Sequence, residues 1–196
     1  QLKEEQMTEI AAVLAFSAIQ NNDKVGVIFF SDKVEKFIPP KKGTSHILRI
    51  IRELIDFHPE SQKTDISEAL RYLTNAIKKR CTAFIISDFM DKGFDNALKI
   101  AGNKHDMVAL RVFDKREKEL PDIGLTKVFN KETGKTMRID TSSRKTRENY
   151  RRWWMQHDEF LNKLFLKSGI DSAMISTDED YVKPLVNLFK RREARF

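Results

Sequence analysis

Asp32, Asp88 and Asp114 each sit at the end of an apolar run, and Asp178 lies a little past another. Thr64-Asp65 opens a helical pattern in a loop expected to reach the same edge. Carboxylates and hydroxyls are hard oxygen donors, and Mg²⁺ takes a few of them together with waters in octahedral geometry. If Asp32, Asp65, Asp88 and Asp114 converged on one point, they would hold one or two ions for phosphoester or nucleic-acid hydrolysis. The same residue types also cap helices and turns, so a purely local role competes at every position. Other catalytic signatures are missing. Cys81 opens an apolar strand with no motif around it and reads as a core thiol. His46, His58, His105 and His157 are scattered outside any metal-ligand spacing. There is neither a phosphate loop nor a nucleophile elbow.

The elements that must carry these side chains are legible as hydrophobic patterns. Thr82-Ala83-Phe84-Ile85-Ile86-Ser87 and Val25-Gly26-Val27-Ile28-Phe29-Phe30 are continuous apolar runs, as expected of strands covered on both faces. Residues 107–113 and 171–177 supply two more strands. Val34 to Ile38 alternates, and Pro39-Pro40 marks it as an edge. Helical spacing covers residues 4–21, then 44–57 with Thr44 or Ser45 as its cap and Ile47, Leu48, Ile51, Leu54 and Ile55 inward, then 65–79 with Asp65 and Glu68 as a capping pair. Further helices are expected near 95–101, over 145–167 and over 181–195. Residues 126–130 and 135–140 flank Lys131-Glu132-Thr133-Gly134 as a β-hairpin inserted around 121–141. Alternating helices and strands predict an α/β fold, a doubly wound, mostly parallel sheet with helices on both faces, in one domain over 1–196. In such sheets ligands bind beyond the carboxyl ends of the strands, where Asp88 lies.

Composition narrows the function classes. The 196 residues carry a net charge of +7 and a single cysteine, which excludes an internal disulfide framework and fits a cytoplasmic setting. No run approaches the roughly 18 apolar residues of a membrane span. Basic clusters at 78–80, 144–152 and 190–195 invite a nucleic-acid reading, but two of them fall at helix carboxyl ends, where the helix dipole favours cations. Solvated helix ends account for them more simply, and no nucleic-acid partner is expected. Trp153-Trp154 reads as a pair that packs its helix onto the sheet.

Taken in order, Asp23 to Asp32, Phe37 to Gly43, Lys63-Thr64-Asp65-Ile66, Ile85 to Phe89, Glu119 to Gly124 and Glu132-Thr133-Gly134 resemble the bacterial domain-of-unknown-function family 58. Its fold is similar to the von Willebrand factor A domain. The resemblance implies a metal-ion-dependent adhesion site with three parts: a D-x-S-x-S motif after the first strand, a threonine in a later loop and an aspartate after the fourth strand. Thr64 resembles the threonine and Asp88 the aspartate. The D-x-S-x-S segment precedes the opening helix in the family and is absent from this chain, so the site is expected to be incomplete and Mg²⁺ binding weak or absent. The missing strand is the central one in the family's order. Val25–Phe30 and Thr82–Ser87 are then expected to pair directly or to take a strand from a neighbouring molecule, which would make a dimer.

The function the resemblance implies is a non-enzymatic protein-interaction module, with Ser31, Asp32 and Asp65 as partner-binding residues around Thr64 and Asp88. Its implied partner is a MoxR-type AAA+ ATPase, in the assembly or activation of other proteins. The alternative is the Mg²⁺-dependent phosphoesterase or nuclease built on Asp32, Asp65, Asp88 and Asp114.

Overall fold

The structure, a computed structural model, describes residues 3–129 and 136–195. Its centre is a three-stranded parallel sheet in the order β3 (Thr82–Ser87), β4 (Asp106–Phe113), β7 (Asp171–Ser176). Successive side chains of a strand point to opposite faces, so a strand buried on both faces must be apolar throughout. Central β4 shows this. Val108, Leu110 and Val112 join Ile10 of α1 (Lys3–Gln20) and Leu185 and Leu188 of α6 (Val182–Glu193) in one core. Met107 and Ala109 join a second core with α3 (Ile66–Ala76), α4 (Asp95–Lys104) and α5 (Arg144–Lys167). Helices therefore cover both faces, as expected of the α/β class.

The remaining strands do not extend this sheet. β1 (Val25–Phe30) pairs antiparallel with β2 (Val34–Lys41) in a two-stranded ribbon of its own. The expected direct pairing of β1 with β3 is not formed: each keeps one edge without a strand partner among the described residues. Phe30 nevertheless packs against the core that includes Ile85 of β3. β2 runs on through Pro39-Pro40 to Lys41, beyond the expected end, and the exposed prolines sit on an edge strand that needs no outward donors. Gly26 lies at a register shift opposite this stretch. A Cβ there would stand 2.8 Å from Ile38 O, so only glycine lets the two strands close.

α2 (Thr44–Asp56) covers the ribbon and corrects two expectations. Its N-cap is Gly43, at φ 102°, rather than Thr44 or Ser45. Its inward face is Ile47 and Ile50 with Leu54, while Leu48 and Ile55 are 50% and 66% exposed. A two-stranded ribbon is narrow, so it buries a thinner helical stripe than a full sheet would.

β5 (Leu125–Phe129) and β6 (Thr136–Asp140) form the expected hairpin as a separate antiparallel pair. The turn expected at Lys131-Glu132-Thr133-Gly134 lies outside the described residues.

Candidate functional site

Asp88 leaves β3 directly into a bent segment. One carboxylate oxygen accepts the Met90 N–H at 3.2 Å, and the other accepts the Lys3 ammonium at 2.9 Å. Lys3 also reaches Glu117 at 2.6 Å. Burial alone would lower the lysine pKa, but Asp88 and Glu117 outweigh it and hold the group above its ordinary value. The next residue, Phe89, is fully buried and sits at φ 56°, a left-handed conformation uncommon for a bulky side chain. Ser87 Oγ accepts its N–H at 3.1 Å, and its carbonyl oxygen accepts from His157 Nε2 at 3.0 Å. A carbonyl only accepts, so Nε2 carries the proton. Burial, with the Arg111 charge nearby, pushes the His157 pKa down.

Main-chain and side-chain ties bring the other candidate residues to the same edge. Asp65 N–H donates to Ser31 O at 2.9 Å, which joins the end of β1 to the start of α3. Asp65 caps that helix through the Glu68 N–H at 2.9 Å, as the capping pattern predicts. The first helical N–H, at Ile66, donates to Asp91 at 2.8 Å, so the segment after β3 is fastened to the same helix start. Helix starts leave such N–H groups without partners, and a carboxylate there also meets the positive end of the dipole. The Thr64 hydroxyl makes no hydrogen bond among the described residues, and Asp32 is exposed beside the buried Ser31, whose hydroxyl donates to it at 3.3 Å.

Residues 1–160 match the family described as "Protein of unknown function DUF58". The chain belongs to the DUF58 family. Uncharacterised Rv1480 of Mycobacterium tuberculosis is 23% identical over 187 residues, covering 93% of this chain and 58% of its own length. Uncharacterised MAV169 of Mycobacterium avium is 27% identical over 135 residues, 68% of this chain and 79% of that protein. The chain thus spans little more than half of the Rv1480 relative. Among solved structures, the conserved hypothetical protein BatB of Bacteroides thetaiotaomicron superposes with a TM-score of 0.56 at 17% identity, covering 95% of this chain and 87% of that one. That likeness shows a shared fold.

In this DUF58 chain the carboxylates of the edge answer to separate partners. Asp114 caps the turn Lys115–Glu117 and pairs with Arg116, which holds its carboxyl below the usual range. Asp178 accepts from Ser176 and lies 3.6 Å from Lys115. Asp65 caps α3, Asp88 binds Lys3, and Asp32 stays with Ser31. Among the described residues no three His, Cys, Asp or Glu side chains are grouped to hold a metal. The acids that a phosphoesterase would converge on one ion have separate jobs, and at Asp88 an ammonium supplies the compensating charge.

A second cluster behind Asp88 has no counterpart in the candidate set. Arg111, 2% exposed on β4, donates from Nε to Asp88 O at 3.3 Å and from Nη1 to Asp158 of α5. Its guanidinium carbon lies 5.2 Å over the Trp154 ring. Arg111 thus joins the Asp88 segment to α5, and His157 repeats the link one residue along. Trp154 packs onto the sheet as expected. Trp153 does not: it is 46% exposed and stacks on His157. Cys81 is half-buried beside His105, and burial pushes its thiol pKa up, away from nucleophile behaviour.

Proposed function

We propose that the chain is a non-enzymatic protein-interaction module of von Willebrand A type. It recognises a partner at the carboxyl edge of its sheet, with Thr64 and Asp88 at the centre and Ser31, Asp32 and Asp65 around them. The observation that carries this reading is the pair of ties, Asp65 N–H to Ser31 O and Ile66 N–H to Asp91. They hold three separate loops in one surface with the exposed Asp32 and the Thr64 hydroxyl, which is unbonded among the described residues, an arrangement suited to recognition. A MoxR-type AAA+ ATPase is the partner suggested by the family resemblance, and a cytoplasmic setting belongs to the same proposal. No helix among the described residues is long and apolar enough to cross a membrane. The open edges of β1 and β3 offer a further contact, through which an added strand or a second copy would complete the sheet.

The test is calorimetric titration of this chain with a MoxR-type ATPase. Asp88→Ala and Thr64→Ala are expected to weaken binding at least about tenfold, the order of a lost charge-assisted contact. Unchanged affinity in both variants contradicts the assignment of the surface.

A further inference from the structure

We propose that the outer edge of β7 takes an extended partner segment in which acidic and apolar residues alternate. This surface lies apart from the Asp88 edge and from the open edges of β1 and β3, and shares no residue with them.

β7 closes the parallel sheet, and only β4 pairs with it among the described residues. Successive peptide groups of a strand point to opposite edges. The Thr177 N–H donates to Phe113 O at 3.0 Å, so Ile175 and Ala173 also face β4, while Ser172, Met174 and Ser176 face outward. Two outward carbonyls are already in use. Arg191 of α6 donates to Ser172 O at 3.1 Å, and Gln6 of α1 donates to Ser176 O at 3.2 Å. The N–H groups of Ser172 and Met174 and the Met174 carbonyl have no partner among the described residues. A strand added at this edge pairs them.

The two walls of the edge differ in chemistry. A groove of about 1110 Å³ runs along it, bounded by Lys183, Lys190 and Arg191 of α6 and by Asn162 of α5. That volume exceeds the roughly 300–1,000 Å³ of a small-molecule pocket, and its floor is a strand, which suits an extended segment. Lys183 and Lys190 have neither an ion pair nor a hydrogen bond among the described residues. They stand two turns apart and so present their charge on one side of the groove. The groove's two acids sit past the end of β7, where Asp180 accepts the Val182 N–H at 2.9 Å and the Glu179 N–H donates to Ser176 O at 3.2 Å.

The α5 wall is apolar. Asn162 also borders a second hollow with Met155 and Leu166, which are 63% and 82% exposed. Met174 adds to it: Ala173 and Ile175 enter the core shared with α6, so alternation turns Met174 to the α5 face, where it is 37% exposed.

A strand laid in this groove sends successive side chains to α6 and α5 in turn. Free cations on one wall and exposed aliphatic side chains on the other therefore select carboxylates alternating with apolar residues. Cations beside an edge also keep neutral strands from pairing there, which sharpens the choice. A second copy would bring its own α5 and α6 against these walls, whereas a lone segment fits between them.

Calorimetric titration of the chain with an acetylated peptide of alternating Glu and Val, six residues long like β7, tests the proposal. It is expected to bind, and less well as salt rises. A peptide alternating Lys and Val, and one with Glu and Val in separate blocks, should bind at least about tenfold more weakly. Lys183→Glu with Lys190→Glu should weaken the Glu–Val peptide at least about tenfold and strengthen the Lys–Val one. Met155→Ser with Leu166→Ser should weaken the Glu–Val peptide severalfold, with circular dichroism showing both variants folded. The proposal is overturned if the Glu–Val peptide does not bind, if either control peptide binds the native chain equally, or if both double variants bind like the native chain. A dimer in sedimentation that Lys183→Glu with Lys190→Glu disrupts would replace the segment by a second copy as the occupant.

Discussion

The carboxyl edge of the parallel sheet and the β5–β6 hairpin carry charges of opposite sign, and they use them differently. At the edge almost every acid has an internal partner: Lys3 for Asp88, helix N–H groups for Asp65 and Asp91, Arg116 for Asp114. On the hairpin Lys127 faces Arg138, and no partner for either appears among the described residues. A charged side chain at a strand end therefore says little about function by its type. Whether the fold already supplies its counter-charge decides how much it contributes to stability.

Substitutions can break this contrast, beginning where the internal partner is most buried. Arg111→Ala leaves Asp158 and the Asp88 carbonyl without their donor in a largely dry site. The expected cost is about 3 kcal/mol, measured as a fall in the denaturation midpoint at unchanged slope. Asp91→Ala removes the acceptor at the start of α3 and should cost about 1 kcal/mol in the same assay. A loss below a few tenths would mean that water replaces Asp91 and that the loops are not fastened there.

A smaller effect comes from pH. His157 and His105 both have pKa values held below the ordinary imidazole value, in each case first by burial and then by neighbouring cations. The unfolded chain then takes up protons that the folded one refuses. Stability should be full above about pH 6.5 and fall as the pH drops from there through the folded values. His157→Gln should flatten part of that decline. An identical pH profile would assign the whole effect to other groups. Smallest is the hairpin. Arg138→Glu puts a carboxylate opposite Lys127 and should raise stability by about 0.5 kcal/mol. A loss of stability there would show that the cation has an internal partner after all, and the contrast would fail.

Much of the fold was legible because it rests on short-range patterns. β3 begins and ends where its apolar run does, and Asp65 caps α3 as its spacing to Glu68 requires. What escaped depends on neighbours distant in the chain. Lys3 in a first helical turn looks like a solvated cation until Asp88 is placed beside it. Asp91 looks like a loop residue until α3 arrives 25 residues away. The split between β1 and β3 involves hydrogen bonds that were never made, which no pattern within a strand encodes. Arg111 did leave a signal, a lone charge inside the apolar run from Met107 to Phe113, whose only tolerable state is paired and buried.

Partner recognition is proposed at the carboxyl edge and not at the hairpin, so the most direct measurement compares the two. Asp88→Ala and the Lys127→Glu, Arg138→Glu pair would each be titrated against a MoxR-type ATPase. The prediction is that Asp88→Ala weakens binding at least about tenfold, while the hairpin variant binds as the native chain does. Retained ATPase binding by Asp88→Ala would contradict the central claim.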